Sequence, residues 1–310
     1  LNYDEKGQII VGKSDSKSDI YDVLVFVDKS IGNIVIPETI RTISSFVFSG
    51  CNRLQTVTIS EDSQLRTIGK FAFSNSSIKK LNISSNITEF QDGWCFNTPN
   101  LSEISISPKN QNFMLLEEKI ILGKTDQNSS EFDLVVFACR TIEKAEIPSF
   151  VKYIGSYAFC DCRMLKTVDF SENSLLEKIG KNSFSNTSIE KVSIPQNIVE
   201  IGESSFSGCI KLSVVHFPQD TKLRVIEKEA FSGSHLEFIQ IPETVKTIKE
   251  GCFSDCSYLS SVTFHENCEI DLIDKNVFAM TNITYIFIPD KVRKIDSCAF
   301  LFCHNLITVN

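Results

Sequence analysis

The 310-residue sequence holds one Trp, three Met and four His, has no run of basic residues, and contains no apolar stretch of the ~18 residues needed to cross a membrane. Each shortage excludes something. With 31 Lys+Arg against 39 Asp+Glu the formal net charge is −8, so nucleic acid and anionic membrane surfaces are poor partners. The four His, at 216, 235, 265 and 304, fall at different phases of the pattern described below, and neither "HENC" (265–268) nor "CDC" (160–162) has a second pair of ligands at metal spacing. No G-x-S-x-G elbow, H-E-x-x-H or EF-hand pattern occurs, so no catalytic residue, metal or cofactor is assigned. The opening "LNYDEKGQ" has no initiator Met and no signal-like apolar core, and no membrane anchor is visible; the chain reads as an excised or mature segment.

Phenylalanine, by contrast, occurs 24 times. Ten of these head similar phrases: Phe48, Phe73, Phe96, Phe159, Phe184, Phe206, Phe231, Phe253, Phe278 and Phe300. From Phe159 onward the spacings alternate 25, 22, 25, 22, 25, 22. Two kinds of unit alternate with them. In one, as in "FCDCRML" and "FSGCIKL", Cys stands three residues after Phe; in the other Ser, Thr or Pro does, and the next apolar segment starts one residue sooner.

Each unit continues L-x-x-V-x-I, a few polar residues, I-x-x-I, and Phe again. The alternating segment suits a strand with one buried face, and the Pro that follows it at 195, 218, 242 and 289 ends ladder pairing. Gly, Asn or Asp stands two residues past Phe in seven units (Gly50, Asn75, Asp161, Asn186, Gly208, Gly233, Asp255), which predicts a short helical turn closed by a left-handed residue. One such unit cannot bury its apolar side alone, so neighbours must stack into a solenoid with a continuous core.

The phrases "AFSGSHLEFIQIPETVKTI" and "AFCDCRMLKTVDF" resemble the BspA-like, or Treponema-type, leucine-rich repeats, from about residue 34 to the end of the chain. The resemblance implies surface or secreted proteins that bind host proteins and other cells. The expected fold is therefore a leucine-rich-repeat solenoid, predominantly β with short helical turns, a curved right-handed array of about ten coils forming a single domain over 1–310.

Two insertions interrupt the array, at about 1–33 and 107–144. The first contains "GQIIVGKS" (7–14), a letter-for-letter match to the G-x-x-x-x-G-K-[ST] phosphate-binding loop. However, "IILGKTDQNSSEFDLVVF" (120–137) aligns without a gap on "IIVGKSDSKSDIYDVLVF" (9–26), an offset of 111 that also maps Phe48 onto Phe159. In this second copy Glu118 replaces the first glycine of the loop. A phosphate cradle opens a helix, whereas Ile9, Ile10 and Val11 favour a strand. Residues 8–27 and 119–138 are therefore expected to be equivalent β-hairpins that project from the stack, and no nucleotide is assigned.

Of eleven Cys, Cys162, Cys209, Cys256 and Cys303 recur every 47 residues, two coils apart. At a strand spacing of ~4.8 Å that is roughly 9.5 Å, beyond the ~7 Å limit for a disulfide, so these are expected to be buried free thiols. Candidate N-glycosylation sequons stand at Asn75, Asn82, Asn86, Asn100, Asn128, Asn186 and Asn282.

Residues flanking the buried V of each strand face away from the core. Along the array they read Thr56/Thr58, Lys80/Asn82, Glu103/Ser105, Thr167/Asp169 and Lys191/Ser193, all polar. Then come Val214/His216, Phe238/Gln240, Ser261/Thr263 and Tyr285/Phe287. These eight form the candidate partner-binding site on the concave face, with Phe238, Tyr285 and Phe287 as anchors. The resulting expectation is a non-enzymatic protein-binding ectodomain for adhesion or recognition of a host matrix or cell-surface protein, at the cell surface or secreted. The alternative from a different class is an intracellular, cytoplasmic assembly scaffold; an enzyme with a site assembled from separate coils ranks third.

Overall fold

A computed structural model describes residues 2–3 and 7–310; residues 1 and 4–6 of the first insertion lie outside it. The chain is a β-solenoid of about 12 turns, and the described residues include no helix. They divide into two compact units, 1–141 and 142–310.

In the first unit a parallel sheet runs Asn33–Ile36, Thr56–Ile59, Lys80–Ile83, Glu103–Ile106. Its pairing holds the repeat phase: Ile34 opposes Val57, and Ile104 opposes Leu81. A second sheet carries the short strands Thr42–Ile43, Thr67–Ile68 and Glu89–Phe90, also parallel. The core lies between the two, because the inward residues of both sides (Ile36, Ile43, Val57, Ile68, Leu81) are fully enclosed. The second unit repeats this plan. Tyr153–Ile154, Lys178–Ile179, Glu200–Ile201, Val225–Ile226 and Thr247–Ile248 form one parallel ladder, and Phe238–Ile241, Ser261–Phe264, Tyr285–Ile286 and Thr308–Val309 form another.

The phenylalanines close each coil. From Phe159 to Phe300 successive rings stack nearly parallel at 4.9, 5.2, 5.3, 5.6, 5.8 and 5.7 Å between centroids. Backbone bonds fix the register: from Phe159 to Phe278 each of these amides donates to the carbonyl just before the next coil's Phe, as in Phe159 to Ser183 and Phe206 to Ala230, both at 2.7 Å.

This rule corrects one assignment. Phe73 N donates to the carbonyl of Trp94, so Cys95, not Phe96, occupies the ring column. Phe96 is displaced to the coil edge, edge-on to Phe71 at 6.0 Å. The spacings from Phe48 are then 25 and 22, which is the alternation seen later in the chain. The missing ring is replaced by aromatic neighbours: Trp94 packs on Phe90 at 4.4 Å and on Phe137, from the second insertion, at 5.1 Å.

The expected helical turns are instead successive i→i+3 turns, such as Ser49 N to Phe46 O and Cys51 N to Phe48 O. A helix cannot form because two left-handed residues bracket every Phe position. The column two residues after it (Gly50 through Phe302) has positive φ in all ten coils, and so does the column two before it, Phe46 through Cys298. Just past the short strand Glu200–Ile201 the coils approach so closely that a Cβ on Gly202 would lie 2.5 Å from the carbonyl oxygen of Ile179.

The two insertions are structural equivalents. Ile9–Gly12 pairs antiparallel with Val23–Val27, and Ile120–Gly123 with Leu134–Ala138, each with a register shift at the same place, Ile10/Val11 and Ile121/Leu122. In both, an Asp closes the loop by accepting from a hydroxyl residue: Asp22 from Ser14 N and Oγ, Asp133 from Thr125 N and Oγ1. In both a lysine caps a ring, Lys13 over Tyr21 and Lys124 over Phe132. The hairpins do not project freely. Each has a third strand, Asn2–Tyr3 or Met114–Leu116, and the first hairpin continues the sheet of the short strands through Val23–Leu24 beside Thr42–Ile43. Gly7 of "GQIIVGKS" is a left-handed turn residue at φ 66°, the conformation Glu118 adopts at φ 57° in the other copy. The residues resembling a phosphate loop thus serve strand pairing and a turn.

Candidate functional site

Strand pairing aligns Phe238, Ser261 and Tyr285 in one column and Gln240 and Thr263 in a second, while Val214 and His216 stand on the strand of the coil before and Phe287 just past the end of its strand. Glu237 N donates to Ser213 O, which sets Phe238 beside Val214; Phe238 then opposes Ser261, and Ser261 opposes Tyr285. In the second column Gln240 opposes Thr263, with His216 one coil before and Phe287 one coil after. The buried residues between them (Val215, Ile239, Val262, Ile286) hold the columns outward. Phe238, Tyr285 and Phe287 are 49%, 48% and 54% exposed, and Val214 is half-buried. Phe238 and Tyr285 stand two strands apart, roughly 10 Å at the usual spacing, with small Ser261 as the floor between. The result is a notch one coil wide, walled by aromatic rings, floored by hydroxyls and rimmed by His216 and Gln240.

The preceding strands differ in kind. Lys80 pairs with Glu103 of the next coil at 3.5 Å and Lys144 with Asp169 of the next coil at 3.1 Å, while Glu146 meets Lys144 within its own strand at 2.7 Å. The hydrogen bonds that Lys144 donates to Glu146 and Asp169 raise its pKa. In the two outward-facing columns of the second unit the exposed aromatic residues are Phe238, Tyr285 and Phe287; aromatic residues are enriched among the hot spots of protein interfaces.

Among the described residues no group of three or more His, Cys, Asp and Glu is placed to hold a metal. His265 of "HENC" lies 3.5 Å from Glu243 and accepts from Asn267 N, while Cys268 is buried in the turn.

None of the eleven cysteines is in a disulfide, and nine are buried; Cys298 is exposed and Cys303 intermediate. The repeat explains why cysteine is used. Cys209, Cys256 and Cys303 Sγ donate to the carbonyls of Phe184, Phe231 and Phe278 in the coil before, at 3.1, 3.2 and 3.0 Å. Each also meets the hydroxyl that holds the equivalent place in that coil: Thr187, Ser234 or Thr281. Burial raises the pKa of Cys209 and of Cys256 to about 11.

The sequons divide by geometry. Asn82 bonds through both amide atoms to the Ile59 backbone, Asn86 donates to Ser63 O, and Asn186 donates to Asp161. Asn75 and Asn282 accept from Asn97 and Asn305. Asn100 and Asn128 are exposed, the latter in the loop of the second hairpin.

One cluster escaped the sequence reading. On the turn edge of the second unit Tyr258, Met280 and Phe302 are 55%, 45% and 54% exposed. The signal was their position: Met280 and Phe302 stand in the column that Gly, Asn or Asp fills in the other coils.

A β-solenoid of stacked 22- to 25-residue coils defines a leucine-rich-repeat protein. The model of the BspA type leucine rich repeat region matches in 6 copies, over residues 22–115, 130–257 and 177–307, and the chain belongs to that family. Its fold is similar to a leucine rich cell surface protein of Faecalibacterium prausnitzii (25% identity, TM-score 0.67, 76% of this chain and 60% of that one). It also resembles a leucine-rich repeat protein of Eubacterium ventriosum (22%, TM-score 0.71, 87% and 76%). The pneumococcal vaccine antigen PcpA is a third structural relative (20%, TM-score 0.61, 89% and 62%). The chain thus spans about 60% of the length of the first of these. No functionally curated protein matches it. Among the described residues no helix is long and apolar enough to cross a membrane.

Proposed function

We propose that this chain is a non-enzymatic protein-binding segment that acts in adhesion or host-protein recognition, at the cell surface or secreted. The observation that carries the reading is the aromatic notch of Phe238, Tyr285 and Phe287 around Ser261 and Thr263, set on rigid strands. Val214, His216 and Gln240 form its margin. The surface location is supported by membership of the BspA-type family and by the Faecalibacterium relative, a cell surface protein. We also propose that residues 1–310 act as one array, a reading supported by the 111-residue offset that keeps Phe48 and Phe159 in the same repeat phase.

The test is capture of a partner from host matrix and cell-surface proteins, followed by affinity measurement with Phe238→Ala/Tyr285→Ala and, as the control, Lys80→Ala/Lys191→Ala. The first pair weakens binding at least tenfold and the second less than threefold. Equal affinities would move the site off this face. A second reading, an intracellular assembly scaffold, is favoured by eleven cysteines that form no disulfide. Glycans detected at Asn100 or Asn128 of the native protein exclude it.

A further inference from the structure

The turn edge of the second unit carries a groove of about 400 Å³ spanning three coils. Its walls include Met280 and Phe302, both left-handed at φ 58°. In the other eight coils this column is Gly, Asn or Asp, the residues that accept that conformation at least cost. Two coils therefore bear backbone strain while setting large apolar side chains in solvent, and strained residues of this kind gather at binding sites. Burial does not account for Met280, which remains 45% exposed although coils flank it on both sides.

The remaining lining is polar and carries no carboxylate, lysine or arginine: Ser257, Thr281, Asn282, His304 and Asn305. Asn305 Nδ2 donates to Asn282 Oδ1. That bond orients the pair and directs the other amide atoms, a donor on Asn282 and an acceptor on Asn305, to further partners. His304 packs beside Phe302 at 5.9 Å between rings. One coil earlier Tyr258, 55% exposed, packs on His235 at 4.4 Å.

We propose that this groove binds a neutral oligosaccharide. A pyranose ring presents an apolar C–H face to an aromatic or thioether wall, and its hydroxyls each donate and accept, which matches a fixed amide donor–acceptor pair. The absence of charged lining in a chain of net charge −8 matches a neutral ligand. The volume lies within the roughly 300–1,000 Å³ of small-ligand sites and accommodates a disaccharide. The site uses Asn282 as an unmodified amide, and it is distinct from the strand-face notch.

The test titrates the 310-residue chain with cellobiose, lactose, maltose and N,N′-diacetylchitobiose, with 3′-sialyllactose as the charged comparison, read by saturation-transfer NMR and calorimetry. At least one neutral disaccharide binds, with saturation strongest at its ring C–H protons. Met280→Gly/Phe302→Gly lowers that affinity at least tenfold while Tm stays level or rises, because glycine relieves the strain as it removes the walls. Asn305→Ala lowers the affinity, and Phe238→Ala/Tyr285→Ala leaves it unchanged. The proposal is overturned by no binding of any neutral sugar, by binding of the sialylated one alone, or by unchanged affinity in the glycine pair. It is equally overturned if Tm falls together with affinity, since the two side chains would then be packing residues, or if the groove retains unglycosylated peptides and no sugar.

Discussion

The thiol ladder makes stability depend on pH in a way that can be worked from the structure. Cys209 and Cys256 are buried, each donating its S–H to a backbone carbonyl in the coil before, and burial lifts both to a pKa of about 11 from an ordinary value of 9.0. The folded state therefore holds these protons more tightly than the unfolded chain does. Below pH 9 both states are protonated and the contribution is fully present; above it the unfolded chain ionises first, and stability is lost as pH rises through the folded value. Each thiol costs about 1 kcal/mol per pH unit in that window, or about 2 kcal/mol at pH 10.5 relative to pH 7.5, so the pair removes about 4 kcal/mol.

The perturbation is Cys209→Ser/Cys256→Ser. A serine hydroxyl can donate to the same carbonyl and does not ionise in this range, so the variant keeps the bond and loses the linkage. Urea unfolding under reducing conditions at half-unit steps from pH 7.5 to 10.5 gives the two stability curves. The variant is the less stable at pH 7.5, since the smaller side chain leaves space, yet its curve is flatter and the two converge toward pH 10.5. Parallel curves across this range would refute the argument, because lysine and tyrosine titration is common to both proteins and cancels in the difference.

The same burial predicts an order of alkylation in the native protein: exposed Cys298 first, Cys303 more slowly, and the nine buried thiols only with unfolding, as followed by mass spectrometry. Phe206→Ala removes a fully buried ring stacked on Phe184 and Phe231, and should cost about 4 kcal/mol in urea unfolding. Gly202→Ala brings a Cβ to within 2.5 Å of a backbone oxygen in the neighbouring coil and should lower Tm more than Gly50→Ala, where the same atom meets nothing within 4 Å. Asp133→Ala deletes both bonds to Thr125, so limited proteolysis should nick the loop at 124–133 faster than in the parent chain.

How much of this was legible in the sequence depends on whether one side chain or a set of neighbours does the work. The Phe, V and I columns were readable because each coil solves the same packing problem with the same residue. The 111-residue duplication dissolved the phosphate-loop match for the same reason: two copies agree on strand and turn while one of them has Glu118 in place of Gly7. Reading failed where the columns are filled from elsewhere. Cys95 is no phenylalanine, and Phe96 beside it matched the pattern; only the amide of Phe73 bonding to Trp94 O reveals the register, and the ring that fills the space, Phe137, lies 42 residues further on.

The column two residues before each Phe shows the limit most clearly. All ten of its residues are left-handed, yet they include Phe46, Phe71, Tyr157, Glu229 and Cys298, so composition gives no sign of the conformation. Stacking enforces it: the coil must reverse there so that the next amide meets the carbonyl of its neighbour, whatever the side chain. Glycine and asparagine lower the cost of such a turn but are not required for it, and a coil built this way can place a bulky side chain at its corner when something outside the stack is to be bound. Phe46, 57% exposed and stacked on Phe71 at 5.5 Å, shows that the first unit uses the same latitude on its own edge. In a solenoid the strand face is therefore one of two surfaces free to vary, and the strained corner is the other.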